Sequence, residues 1–226
     1  MTVLDIPCGK GAFTERLLRR DIDVVSSDIV DELKTSTQNA NYVPADMDKR
    51  LPFTDSHFSG IICIDGIEHI ERQFDFVREC NRILKSSGRI ILSAPNISAA
   101  RSRWRYFLTG HHNKCKSPLN EEHVTPLHHK NMISFPELRY LLHTHGFEIE
   151  SITTNRIKLI SYTYILFMPF FYLTTRRVYS REESDPVQQN NNRQIIKAMF
   201  SKPVFFGETL IVSASKKRDL TMQSDP

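Results

Sequence analysis

Residues 3–11 read VLDIPCGKG, and residues 12–20 read AFTERLLRR. The first stretch is a short apolar strand, Val3 to Ile6, that runs directly into a turn containing Gly9 and Gly11. The second is a helix with Phe13, Leu17 and Leu18 on one side. Glycines at a strand-to-helix turn let the backbone come close to a ligand at the carboxyl end of a sheet. A dinucleotide fingerprint would want a third glycine at position 14, where this chain has Thr14. It would also not want an acid inside the turn. Asp5 there repels a pyrophosphate and attracts a cationic ligand. Asp28 follows Gly11 by 17 residues, at the end of the next strand, where a carboxylate can accept from both hydroxyls of a ribose.

Strand and helix patterns alternate on either side of this turn. Asp23–Ser27 is a second strand, and a short helix opens at Asp31 with acids in its first turn. Asn41–Ala45 is a third strand, and Gly60–Asp65 (GIICID) is a near-continuous apolar run, as expected for a strand buried on both faces. Phe74, Val77, Cys80, Asn81 and Leu84 recur at helical spacing, Gly88 suits a helix C-cap, and Arg89–Ser93 closes the series. Strands alternating with helices imply right-handed crossovers and an α/β, doubly wound, mostly parallel sheet. Residues 1–98 therefore form a core, 99–133 a long basic, His-rich loop with one short helix around Trp104, and 134–156 a helix (Phe135–His145) and a strand (Phe147–Thr153). Residues 157–206 are an apolar then polar insertion, mobile around Asn190–Asn192, 207–216 a final strand, and 217–226 a loose tail.

The 226 residues are 40% hydrophobic, with 14 Phe and 7 Tyr, which is enough to build a core. A balance of 30 Lys+Arg against 26 Asp+Glu argues against a dedicated nucleic-acid binder, and no nucleic-acid partner is expected. Cys8, Cys63, Cys80 and Cys115 form no C-x-x-C pair, so a disulfide framework is not expected. With no basic, apolar leader at the N-terminus, a cytoplasmic protein is expected.

The chain resembles the class I S-adenosylmethionine-dependent methyltransferases, and within them the broad group with small-molecule, lipid and sugar acceptors. The matching residues are VLDIPCGKG (3–11), Asp28, ADMD (45–48) with LPF (51–53), FSGIICID (58–65), Glu68-His69-Ile70, NRILK (81–85), SAPN (93–96), residues 128–150 and GETLIVSASK (207–216). The resemblance implies a seven-stranded Rossmann-like sheet with an antiparallel last strand, and S-adenosyl-L-methionine as cofactor. Asp5, Gly9 and Gly11, with Pro7 and Cys8 between them, would hold its methionyl part and ribose. Asp28 and Ile29 would take the ribose hydroxyls, Asp46 and Met47 the adenine, and Asp65 and Gly66 the methionine end. Pro7 departs from the usual glycine, which fixes one φ angle and removes an N–H. The sequence also opens almost at the first strand, without the helix that commonly caps the pocket. Either it begins short or another segment closes the site. The acceptor expected is a small molecule, a sugar or a lipid-linked compound, methylated on oxygen.

The loop and the insertion carry further candidates. In some quinone-type relatives an acid-x-x-Glu-His cluster gathers a divalent metal, and Asp65, Glu68 and His69 have that spacing. A satisfied pair at a helix start is the reading preferred here, and no metal is expected. Two His-His doublets among His111, His112, His123, His128 and His129 fit no compact zinc pattern. His123, beside Glu121 and Glu122, and His69 are the candidate catalytic bases, since a neutral imidazole can take a hydroxyl proton. Arg101, Arg103 and Arg105 interleave with Trp104 and Tyr106 as a phosphate clamp or a solvated helix face. Residues 159–175 are 17 uncharged residues, rich in aromatics and interrupted by Pro169. That is short of the roughly 20 needed to span a bilayer. The 159–173 segment suits the interface of an inner membrane surface, flanked by Arg156, Lys158, Arg176 and Arg177, or packs over the acceptor pocket or a dimer face. A catalytically silent cofactor-fold module and a nicotinamide oxidoreductase are the competing readings.

Overall fold

The computed structural model describes all residues except 34–36, 38–39, 116–117, 124, 182 and 221–226. Among the described residues, seven strands form one sheet: β1 (Thr2–Asp5), β2 (Asp23–Ser26), β3 (Asn41–Tyr42), β4 (Phe58–Cys63), β5 (Leu84–Pro95), β6 (Phe147–Thr153) and β7 (Thr209–Lys216). Their order is β3-β2-β1-β4-β5-β7-β6, parallel from β3 through β5, with β7 antiparallel to both of its neighbours. The expected doubly wound sheet with an antiparallel last strand is therefore present. Strand order reverses between β1 and β4, which opens a crevice outside their carboxyl ends.

Helices α1 (Ala12–Leu18), α2 (Gln73–Ile83), α3 (Ala100–Thr109), α4 (Phe135–Thr144), α5 (Met168–Arg181), α6 (Pro186–Met199) and α7 (Lys202–Phe206) cover the sheet and its carboxyl edge. Leu4, Ile61, Ile90 and Leu92 of the central strands pack against Phe76, Val77 and Cys80 of α2 and Leu138, Leu141 and Leu142 of α4. Helix α4 starts where Ser134 and Glu137 form a reciprocal capping box, satisfying two otherwise orphaned N–H groups. Beyond β7 the chain stays tied down. The Asn81 side-chain amide donates to the carbonyls of His145 (2.9 Å) and Arg218 (3.0 Å), and Lys217 donates its N–H to Gly146 (2.8 Å).

Several local expectations are corrected. In α1 the buried residue is Thr14, while Leu18 faces solvent. In α2 Val77, Cys80 and Asn81 are buried on the expected face, but Phe74 at its N-terminal end is exposed and Phe76 is buried in its place. Gly88 caps no helix. Helix α2 ends at Ile83 and passes straight into β5, and the left-handed residue there is Ser87, with φ 62°. Residues 31–33 are not helical, and the rest of that expected short helix falls partly on residues 34–36, outside those described. Strand β3 is only Asn41–Tyr42. Asn190–Asn192 lie within α6, whose first turn is capped by the Asp185 carboxylate accepting from Val187 and Gln188. The expected loose tail is bonded through Leu220, and its remainder lies outside the described residues.

The exchange of Phe74 for Phe76 gives a direct check. Phe76→Ala should cost about 3–5 kcal/mol in denaturant unfolding, as for a buried aromatic. Phe74→Ala, at a position 46% exposed, should cost under about 1 kcal/mol. Equal costs would return both side chains to one buried face.

Candidate active site

A cavity of about 590 Å³ lies outside the carboxyl ends of β1, β2 and β4. Its walls come from four turns and a loop. The turn after β1 gives Pro7, Cys8 and Gly9. The turn after β2 gives Asp28 and Ile29, and the one after β3 gives Asp46 and Met47. The turn after β4 gives Asp65, Gly66 and His69. Thr125, Pro126, Leu127 and Lys130, from the 99–133 loop, close the remaining side. Nine of the eleven residues expected to hold the cofactor line this cavity; Asp5 and Gly11 stand behind it.

Asp5 is 2% exposed at the end of β1, and its carboxylate accepts from the Thr14 hydroxyl (2.7 Å). The Thr14 oxygen in turn lies 2.8 Å from the Ser26 hydroxyl on β2. Thr14, the residue that breaks the dinucleotide fingerprint, is therefore the partner that orients this acid. Burial pushes the Asp5 carboxyl up to about 6, and the Thr14 hydrogen bond pulls against that rise. Gly11 takes φ +77°, and a Cβ there would lie 2.8 Å from the Thr37 hydroxyl, so both backbone and space require glycine.

Asp28 joins the first two turns. One carboxylate oxygen accepts from the Gly9 N–H (2.8 Å) and the other from the Ile29 N–H (2.7 Å). Each oxygen keeps a second lone pair for a ligand hydroxyl. Asp65 sits at φ 48°, with its N–H donating to the Ser93 hydroxyl (2.9 Å), which donates back to its carboxylate (2.8 Å). A Cβ on Gly66 would lie 2.4 Å from the Pro7 ring, so the turns after β1 and β4 touch at this glycine. Asp46 pairs with Lys49 at 3.1 Å. Burial pushes the Cys8 thiol up to about 12, so it is a neutral wall rather than a nucleophile.

Asp28, Asp46, Asp48 and Asp65 face the cavity with one cation, Lys130, which is itself 3.3 Å from Glu71. Such a wall suits an uncharged sugar and base bearing a cationic sulfonium, and repels a pyrophosphate. Apolar Phe13, Ile64 and Ile70 complete it.

His69 Nδ1 lies 3.1 Å from the His128 carbonyl, which can only accept, so Nδ1 is the donor in that contact and Nε2 is not used by it. The His129 ring packs edge-on against it at 4.8 Å. Beside them Glu68 is 1% exposed, and neither of its carboxylate oxygens has a hydrogen-bond partner among the described residues. Burial, helped by Asp65, pushes its carboxyl up to about 7. One ligand atom from each of Glu68, His69 and His129 lies within 4.8 Å of the others. The structure therefore brings together Glu68, His69 and His129, whereas Asp65 is turned to Ser93. His123 stands on an exposed turn and is not among the residues lining the cavity. Sequence reasoning missed Thr14 and His129. A hydroxyl at a glycine's usual place was the available signal for the first. None existed for the second, because its partner is 60 positions away.

Residues 4–92 match the family described as a methyltransferase domain. Over 108 residues the chain is 29% identical to the mitochondrial ubiquinone biosynthesis O-methyltransferase of Bos taurus, covering 42% of this chain and 29% of that one. Over 103 residues it is 33% identical to a ubiquinone/menaquinone biosynthesis C-methyltransferase of Azotobacter vinelandii, covering 40% of each. The chain thus spans less than half the length of these two relatives. Its fold is that of a SAM-dependent methyltransferase from Archaeoglobus fulgidus, with a TM-score of 0.59 at 20% identity over 95% of this chain and 86% of that one.

Two outcomes follow. Asp28→Ala should weaken S-adenosylhomocysteine binding by roughly 1.5–3 kcal/mol in calorimetry, the range for hydrogen bonds to a charged group. Unchanged affinity in a folded variant would remove Asp28 from the site. Glu68 binds its proton more tightly folded (about 7) than unfolded (4.5). Its contribution to stability is therefore present below pH 4.5 and is lost as pH rises through about 7. Glu68→Gln should flatten the melting temperature across that window and raise it at pH 8. A steeper decline in the variant would contradict the buried, unpartnered carboxyl.

Proposed function

We propose that this chain, a class I S-adenosylmethionine-dependent methyltransferase by its matched domain and its sheet, methylates an oxygen of a small-molecule acceptor, with His69 as the base. The carrying observation is that His69 lines the cavity next to Asp65 and Gly66 with its Nδ1 engaged by the His128 carbonyl, which leaves Nε2 as the nitrogen for an acceptor. Bound S-adenosylmethionine supplies an electrophilic sulfonium methyl. Asp28 would accept from its ribose hydroxyls, Asp46 from the adenine amine, and the ends of β1 and β4 would hold the methionine end. Asp5 would add negative potential behind the turn. His69 Nε2 would take the proton from the acceptor hydroxyl, and Glu68 would stabilise the resulting imidazolium. Leu127 and Pro126 would exclude water from above.

The relatives' names include both O- and C-transfer, so the choice of oxygen rests on His69 alone. His123, exposed and away from the cavity, is given no role in this proposal. The finer acceptor class is a lipid-linked ring or sugar, reached through peripheral membrane contact near 159–173.

The buried, unpartnered Glu68 carboxylate favours one second reading, in which Glu68, His69 and His129 hold a divalent cation beside the acceptor. Two imidazoles with one carboxylate suit Zn²⁺, Mn²⁺ or Fe²⁺ better than Mg²⁺. On that reading a chelator abolishes transfer, and on the first it does not.

His69→Gln should lower the turnover of hydroxylated aromatic acceptors by roughly 10²–10⁴-fold, the usual share of a general base. S-adenosylhomocysteine affinity should stay near that of the unmodified protein. Part of the rate should return at high pH, where a phenolic acceptor ionises unaided. An unaffected turnover number would exclude His69 as the base.

A further inference from the structure

We infer that α3 and the 159–181 segment together form a docking face for an anionic lipid surface, set at the same edge of the sheet as the cavity. Helix α3 follows the carboxyl end of β5, and the insertion leaves β6 and re-enters β7 at that same edge, where Pro95 pairs with Thr209 and Thr153 with Ile211. Residues 159–167 form a 3₁₀ helix that continues into α5. Over all of 159–181 only Ser161 is fully buried, although most of the stretch is apolar.

Tyr164, Met168 and Phe171 anchor this segment inward, against Phe205 and Phe206. The remainder points out. Phe107 and Leu108 of α3, with Leu159, Leu166, Phe170 and Leu173, are each between 62% and 87% exposed. The two elements meet where Trp104 stacks on Phe167, with ring centres 5.4 Å apart, so the exposed residues belong to one joined structure. Apolar exposure on this scale marks a contact surface. Among the described residues, no helix is long and apolar enough to cross a membrane.

Charge selects the occupant. Residues 97–120 and 151–181 contain ten Lys and Arg and no Asp or Glu, while the rest of the chain carries 20 basic against 26 acidic residues. Arg101, Arg105, Arg176 and Arg177 have no ion pair among the described residues, whereas Arg156 and Lys158 are both held by Glu208. Arg103 is turned inward, donating to the Ser98 carbonyl over the rings of Phe171 and Phe200. A two-fold dimer through this face would set these unpaired arginines against one another, because such an interface meets its own copy. A bilayer carrying anionic headgroups instead offers each a partner, and takes up the exposed Tyr106, Tyr162 and Tyr172 at the headgroup level. The inference deepens the lipid-linked acceptor reading, and in that part rests on it. Vesicle binding itself is read without cofactor or acceptor.

The test is flotation of the full chain with vesicles of phosphatidylcholine alone, and of phosphatidylcholine and phosphatidylglycerol in equal amounts. Binding should be at least roughly tenfold stronger on the anionic vesicles, and the difference should vanish in high salt. Phe107→Ser, Leu166→Ser and Phe170→Ser combined should reduce binding to both vesicles by roughly tenfold or more, with S-adenosylhomocysteine affinity and melting temperature unchanged. Arg176→Gln with Arg177→Gln should remove about tenfold from anionic vesicles only. A wild-type protein that floats with neither vesicle overturns the inference. So does a dimer that the serine variant dissolves while vesicle binding is absent. Should the serine variant not fold, the arginine variant decides alone: undiminished binding to anionic vesicles rejects the charge-selected membrane face.

Discussion

The hydrogen bond from Thr14 to Asp5 is the interaction on which the site depends. A carboxylate at the end of a central strand, almost fully buried, is costly unless something accepts the task of orienting and partly stabilising it. Thr14 does so from the first turn of α1, with Ser26 behind it on β2. The three residues tie the first helix to the first two strands. They also fix the sign of the field at the crevice as negative. Everything bound there must tolerate that field, and the further acids along the cavity wall extend it rather than offset it.

The remaining geometry follows from that edge. Asp28 bonds across to the backbone of Gly9, so the acid proposed for the ribose and the glycine turn move as one unit. Gly66 rests on the Pro7 ring, and through it the turn after β4 keeps a fixed distance from the turn after β1. His69 belongs to that same β4 turn, which places the proposed base beside the residues that would hold the methyl donor. Methyl transfer asks mainly for alignment and water exclusion, so few side chains need be strictly placed. The resemblance accordingly spoke clearly about cofactor and barely about acceptor.

How much of this was legible in the sequence depends on the distance over which each feature is determined. The glycine turn, Asp28 and the buried β4 run are local patterns, and the crevice residues after β1 to β4 could be read directly. On α2 only Phe74 was misplaced: Phe74 and Phe76 are equally apolar, and it is Phe76 that the core takes in, while Phe74 lies at the surface beside Tyr140. Gly88 looked like a helix stop, yet α2 enters β5 without one. His123 drew attention through its acidic neighbours, whereas the imidazole that meets His69 is His129, brought in by a loop whose path no periodicity encodes. The apolar insertion was legible in composition, but its division into inward anchors and an outward face was not. That division needs the position of α7.

The central claim is that the crevice accepts an adenosyl amino-acid ligand and rejects a pyrophosphate. Calorimetric titration of the unmodified protein with S-adenosylhomocysteine and, separately, with NADH tests it most directly. The account predicts one-to-one binding of S-adenosylhomocysteine and no measurable heat from NADH. Saturable binding of NADH, or binding of neither compound by the folded protein, would contradict it.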